Sequence, residues 1–264
     1  MIEDIWQRAG LALINGIAKS VPRECREIAY GDSARQTFDW YRLTPDRARA
    51  TIIFFYGGNW QSGRKQDYRF VADTLLSMGY DVVIPDYRLY PEVRFDVIRD
   101  DARRAVDALQ RQLTKDVPVL LMGHSAGAQL AALLTLDTSL LEDSSRLKGC
   151  VGLAGPYDFF PFTEDSHWDL FAPEAHYRQS QPVNFVRHDA PPLYLLHGED
   201  DRRVRRGHSK SLMEKQQAAG GIASREVYPG MTHIGIVLAF SRLHRRKSRV
   251  VADVRHFIDS VLAH

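Results

Sequence analysis

Ser125 sits between two glycines at fixed spacing, in the pentapeptide Gly123-His124-Ser125-Ala126-Gly127. An apolar run, Val117 to Met122, leads into it, and a run rich in Ala and Leu leaves it, ending near Leu136. That is a serine on a strand-to-helix turn. A side chain at either flanking glycine would crowd a turn so tight, and the strain lifts the hydroxyl clear of the sheet toward solvent. A serine hydroxyl is a weak nucleophile: it needs a base within hydrogen-bond reach, and the base needs a carboxylate to orient it. The chemistry to look for is therefore acyl transfer.

Both partners are expected just beyond later strands, because in a doubly wound sheet the loops at the carboxyl ends of the strands converge on one crevice. Leu193 to Leu196 reads as such a strand, and three acids follow it, Glu199, Asp200 and Asp201. Asp201 is the choice for the orienting carboxylate, since Glu199 and Asp200 lie nearer the strand end and can serve the turn. The next strand, ending at Tyr228, leads through Pro229-Gly230 to His233, the candidate base. The order Ser, Asp, His, each after a strand, strengthens both assignments. His124 adjoins the serine but points the wrong way to act as its base, and His208 and His244 are expected to be exposed. The developing oxyanion needs N–H donors. One is expected from Ala126, the others from Gly57 and Gly58 in the loop Tyr56-Gly57-Gly58-Asn59-Trp60, where glycines let backbone approach a ligand.

These loops require a particular scaffold. Two β-like runs near Arg26 to Tyr30 and Thr37 to Leu43 flank the turn Gly31-Asp32 and predict a hairpin. Strands are then expected at 50–56, 81–85, 117–122, 148–153, 193–196 and 223–228. Helices are expected at 66–78, 96–113, 125–136, 209–219 and 248–262. Apolar strands alternating with helices predict an α/β fold, a doubly wound, mostly parallel sheet covered on both faces. The 264 residues read as one domain spanning 1–264, with no repeat and no linker. Residues 155–192 break the rhythm. They hold Tyr157, Phe159, Phe160, Phe162, Trp168, Phe171 and Tyr177, and predict a small cap over the site. Tyr56, Trp60, His124, Tyr157 and Phe159 are the substrate-binding candidates.

A formal charge of +2 gives no global field for nucleic acid or membrane. The basic clusters at 202–206 and 242–247 read as solvated surface, although the first, beside Asp201, could bias the site toward anions. Cys25 and Cys150 make no metal or redox pattern and are expected to be buried or partly buried thiols. No metal site and no cofactor is expected. Ile2, Ile5, Trp6, Ala9, Leu13 and Ile17 recur at helical spacing, and Glu3 and Asp4 stand where a secretion signal would be positive, so a packed N-terminal helix and a cytoplasmic location are expected. No apolar run is long enough to span a bilayer. Oligomeric state is left open, with a homodimer among the options.

The chain resembles the α/β-hydrolase superfamily, and within it hormone-sensitive-lipase-like carboxylesterases and kynurenine-formamidase-like enzymes. The matching pieces are Gly57-Gly58-x-Trp60, Ser62-Gly63 with Asp67-Tyr68, Asp86-Tyr87-Arg88-Leu89-x-Pro91-Glu92, the Ser125 pentapeptide, His197-Gly198-x-x-Asp201 and Pro229-Gly230-x-x-His233. They span residues 50 to 260 in family order. The resemblance implies Ser125 as nucleophile, Asp201 as acid, His233 as base, and Gly57, Gly58 and Ala126 as oxyanion amides. It also implies a structural role for the segment from Asp86, with Arg88 and Glu92 tying loops below the site. One departure is Tyr56, where that family usually has a histidine that braces the oxyanion loop. A tyrosine hydroxyl can still hydrogen-bond there. The expected reaction is hydrolysis of short-chain or aryl carboxylic esters through an acyl-enzyme. An arylformamidase acting on amides like N-formylkynurenine, a small peptidase, and a non-catalytic binding homologue are the alternatives. The peptidase lacks a visible site for a charged terminus. Non-catalytic homologues commonly lose the serine or the histidine, and both are present here.

Overall fold

The computed structural model describes residues 24–43, 48–114 and 116–263. Eight strands form one sheet: β1 (Glu24–Ala29), β2 (Thr37–Arg42), β3 (Thr51–Phe55), β4 (Asp81–Pro85), β5 (Val119–His124), β6 (Leu147–Leu153), β7 (Leu193–Gly198) and β8 (Ala223–Tyr228). Their order across the sheet is β1-β2-β4-β3-β5-β6-β7-β8. β1 and β2 form the antiparallel hairpin, β2 pairs antiparallel with β4, and every later pairing is parallel. The order turns back between β4, β3 and β5. The carboxyl ends of β3 and β5 therefore lie side by side, with Phe55 in register with Gly123.

The helices are α1 (Arg69–Ser77), α2 (Phe95–Gln110), α3 (Ala126–Leu136), α4 (Asp165–Leu170), α5 (Glu174–Tyr177), α6 (Gly207–Ala218), α7 (Gly235–Leu238) and α8 (Val250–Leu262). β3, β4, β5 and β7 are buried along their whole length, as strands covered on both faces must be. α3 is buried at every position, because it lies against the centre of the sheet and beneath 155–192. Leu130, Leu133 and Leu134 there are fully buried, each worth about 1.5–3 kcal/mol of apolar transfer. Gly127 makes that packing possible: a Cβ there would stand 2.1 Å from the Phe55 carbonyl oxygen.

The observed elements follow the predicted ones closely, with boundary differences of a few residues. The exception is 66–78, where a short 3-10 turn over Lys65–Tyr68 precedes α1. Residues 155–192 carry α4, α5 and two 3-10 turns around an aromatic cluster in which Phe162 stacks on Phe171 at 4.9 Å. The helix expected near the N-terminus lies outside the described residues. Among the described residues, no helix is long and apolar enough to cross a membrane.

Expectations on the exposure of Cys25, His208 and His244 are corrected. Cys25 is exposed, because β1 is an edge strand that presents most of its residues to solvent. His208 and His244 are half-buried: His208 donates Nδ1–H to the Asp158 carbonyl at 2.6 Å, and His244 Nδ1 meets Ser241 Oγ at 2.9 Å. Glu92 is exposed, while Arg88 grips the buried Asp101 of α2 with both Nε (2.9 Å) and Nη2 (2.7 Å).

Candidate active site

The turn between β5 and α3 places Ser125 at φ 54° and ψ −122°, a left-handed φ that a β-carbon makes costly. The neighbours enforce it. The Ser125 N–H is held by the Leu153 carbonyl of β6 at 2.8 Å, and its own carbonyl accepts from Ala128 N at 2.9 Å. The hydroxyl is left to the crevice.

His233 lies between β8 and α7, with Nε2 3.0 Å from Ser125 Oγ. Its Nδ1 donates to Asp201 Oδ2 at 2.8 Å. Three loops after β5, β7 and β8 thus bring hydroxyl, imidazole and carboxylate into one line. Glu199 and Asp200 are exposed and stand outside it. Asp201 Oδ1 accepts the backbone N–H groups of Arg203 and Val204, both at 2.9 Å. Oδ2 accepts a second imidazole as well, His197 Nε2 at 3.1 Å. Burial alone would raise this carboxyl. Hydrogen bonds from His197 and His233, the charge of His233 and the Val204 N–H outweigh it and hold the group well below the usual carboxylate range.

Beside Ser125 runs the loop from β3. A methyl added to Gly57 would sit 2.9 Å from Ser125 Cβ, so its backbone is next to the hydroxyl. Gly58 has φ +143°, a conformation that favours glycine. Ala126 opens α3, so its N–H is one of the first-turn amides without an intrahelical acceptor. Gly57, Gly58, Ser125 and Ala126 line the same cavity, about 950 Å³, with His233.

The loop is braced on both sides. Beneath it, Tyr56 donates its hydroxyl to Asp86 Oδ1 at 2.8 Å and accepts from Arg35 Nη2 at 3.0 Å. Arg35 also holds the carbonyls of Gly63 (2.7 Å) and Tyr87 (2.8 Å), and the Tyr87 hydroxyl donates to the Tyr56 carbonyl at 2.8 Å. Above it, Asn59 Nδ2 donates to Glu164 at 3.0 Å and Asn59 Oδ1 meets His167 Nε2 at 3.1 Å. Gln61 Nε2 reaches Ser166 Oγ at 3.3 Å. Trp60 packs between Phe159 (5.8 Å) and Phe171 (5.0 Å) and donates Nε1–H to Gln129.

Of the substrate-binding candidates, Trp60 and Phe159 border the cavity. Tyr56 and Tyr157 do not, and both are fully buried. Tyr56 is committed to Asp86 and Arg35, and Tyr157 packs under Gly152 and Gly155. His124 touches the cavity floor but is 1 % exposed, and it donates Nε2–H to the His233 carbonyl at 2.9 Å. Burial, aided by the charge of His233, pushes its pKa down to about 3, so the ring stays neutral and pins the His233 loop. Arg35, Asn59, Glu164, His167, Arg203 and His208 also line the cavity. Sequence reasoning did not single out Arg35, Asn59, Glu164 or His167. Among the described residues, no group of His, Cys, Asp and Glu is placed to hold a metal.

A model of the BD-FAE family matches residues 41–216, about two thirds of the chain. The chain belongs to the BD-FAE family. It is 26% identical over 245 residues to the isoprenylcysteine α-carbonyl methylesterase ICME of Arabidopsis thaliana, covering 81% of this chain and 57% of that one. It is 32% identical over 148 residues to the kynurenine formamidase of Danio rerio, covering 54% and 50%. The chain therefore spans about half the length of these curated relatives. Among solved structures, esterase B of Lactobacillus rhamnosis superposes with a TM-score of 0.77 at 18% identity, over 100% of this chain and 97% of that one. This BD-FAE chain has the α/β-hydrolase fold, and the curated relatives it matches are named as a methylesterase and a formamidase.

Proposed function

We propose that this chain is a serine hydrolase that cleaves small carboxylic esters through an acyl-enzyme, with Ser125 as nucleophile, His233 as base and Asp201 as orienting acid. The observation that carries the reading is the line of contacts from Asp201 through His233 to Ser125, at 2.8 and 3.0 Å. His233 takes the Ser125 proton as Oγ attacks the carbonyl carbon. Asp201 holds the ring with hydrogen on Nδ1, leaving Nε2 free to accept, and stabilises the imidazolium that forms. The N–H groups of Ala126 and of Gly57 or Gly58 receive the oxyanion. His233 then protonates the leaving oxygen, and water repeats the cycle to free the acid.

The aromatic wall of Trp60 and Phe159 favours aryl or small apolar groups over long acyl chains. A second reading, cleavage of arylformamides, is favoured by the same wall together with the similarity to kynurenine formamidase. One experiment separates them: kcat/KM on nitrophenyl esters of increasing acyl length, measured beside N-formylkynurenine. Preference for acetyl and propionyl esters supports the first reading. A higher kcat/KM on N-formylkynurenine than on any ester supports the second. No turnover of either class by a folded protein overturns both.

A further inference from the structure

Asp201 Oδ2 receives two imidazoles, and only one of them faces the nucleophile. The other, His197, is the fifth residue of β7 and fully buried. Its Nε2 lies 3.1 Å from Asp201 Oδ2 and 2.9 Å from the Val204 carbonyl. Both are acceptors, so Nε2 carries hydrogen and shares it between them. Its Nδ1 meets Ser209 Oγ at 3.2 Å, and Arg225 Nε donates to that oxygen at 2.8 Å. His208 lies within electrostatic reach of this ring. The ring is thus tethered at both nitrogens, on the side of Asp201 away from the cavity.

We propose that His197 is a positioning residue that holds the Asp201 carboxylate in place while His233 changes its proton. The inference rests on the serine-hydrolase reading above. The backbone N–H groups of Arg203 and Val204 fix Oδ1 but leave the carboxylate able to swing Oδ2 about it. Without His197, Oδ2 would be held only by His233, the group it has to orient, and that group gains and loses a proton in each cycle. His197, with both nitrogens turned to Asp201, Val204 and Ser209 and neither to Ser125, takes no part in that transfer. Its N–H also draws charge from Oδ2, which tempers the pull of the carboxylate on the His233 proton.

The test compares His197→Gln, His197→Asn and His197→Leu with the parent chain on p-nitrophenyl acetate, rates being normalised to sites titrated with a fluorophosphonate. Glutamine can present an N–H near the position of Nε2; asparagine is too short and leucine has no donor. His197→Leu and His197→Asn are expected to lose about ten-fold in kcat with KM within about two-fold, the pattern of a misplaced catalytic group. The acid limb of kcat/KM is expected to rise by roughly half a pH unit, because an undrawn carboxylate favours the imidazolium. His197→Gln is expected to keep both kcat and limb near the parent values. If His197→Leu fails to fold, the Gln and Asn pair decides by the same readouts. Variants that lose Tm but keep kcat and the acid limb per titrated site overturn the inference, as does a Gln variant no better than Asn. Ser125→Ala is run alongside. If it stays active, the serine reading falls and this inference with it; if it is dead while the His197 variants match the parent, only this inference falls.

Discussion

Asp201→Asn exchanges one oxygen for an NH2 group and should reverse a proton two bonds from the nucleophile. The carboxylate accepts four donors: Arg203 N and Val204 N on Oδ1, His233 Nδ1 and His197 Nε2 on Oδ2. An asparagine has one acceptor oxygen. The two backbone N–H groups, both at 2.9 Å, cannot turn away, so they claim that oxygen and the NH2 faces the imidazoles. His233 can meet an N–H only with a bare Nδ1. Its proton then moves to Nε2, which faces Ser125 Oγ at 3.0 Å and can no longer accept from it. The base is lost with the geometry almost unchanged. The expected fall in kcat is about 10³–10⁴-fold, or ~4–5.5 kcal/mol of transition-state stabilisation at 1.36 kcal/mol per decade. The buried NH2 opposing the His197 N–H should also cost about 1–3 kcal/mol of stability, so the assay is run well below the Tm. kcat and KM on p-nitrophenyl acetate near neutral pH, with circular dichroism to confirm folding, read the result. A folded variant within ten-fold of the parent would rule out Asp201 as the orienting acid. A larger loss in Asp200→Asn or Glu199→Gln would move the acid elsewhere.

Gly127→Ala should fail to accumulate as folded protein, because the new Cβ would lie 2.1 Å from the Phe55 carbonyl and 2.5 Å from the Tyr56 carbonyl, both backbone; soluble yield and Tm measure this, and a parent-like Tm would contradict the packing. Acid should destabilise the fold well above the pH where carboxylates titrate. Burial lowers the pKa of His124 to about 3 and also lowers those of His167 and His208, so from about pH 6.5 downward the unfolded chain binds protons that the native one refuses. Stability is complete above that pH and falls by up to ~1.4 kcal/mol per unit for each such group, down to about 3 for His124. The depressed Asp201 adds a further loss only below its ordinary carboxyl range. Urea midpoints between pH 7 and 4 test this, and a curve unchanged in His124→Gln would contradict the assignment to that ring. Asn59→Ala should lower kcat several-fold with a small change in Tm. It removes the contacts to Glu164 and His167 that hold the loop after β3 at positive φ (55° at Asn59, 58° at Trp60). Unchanged kcat would show that the loop needs no such brace.

The sheet was legible because its strands are short apolar runs between clear breakers, as at 51–55 and 81–85. The line Ser125, Asp201, His233 was legible for a related reason: each residue follows a strand, and parallel strands send their carboxyl ends to one edge. Asp201 is chosen over its two acidic neighbours because they lie nearer the strand end and can serve the turn; in the structure both are exposed while the Asp201 side chain is buried. Side-chain direction inside the core was not legible. Tyr56 and Tyr157 look like pocket aromatics by position, yet one is drawn inward by Asp86 and Arg35 and the other fills space under two glycines. Nothing local marks Arg35, which reaches the loop after β3 from the hairpin turn, or Glu164, which reaches it from the start of α4. His197 carried a faint signal, four residues before Asp201, but the spacing alone does not say that both side chains turn to the same side.

If Ser125 is the nucleophile of an acyl-transfer site, a fluorophosphonate must bond to its oxygen, and peptide mass spectrometry of the labelled chain reads this. One adduct is expected, on Ser125, formed as esterase activity disappears, with no adduct and no hydrolysis in a folded Ser125→Ala. Hydrolysis by Ser125→Ala at the parent rate, or an active parent protein that never acquires the adduct at Ser125, would contradict it.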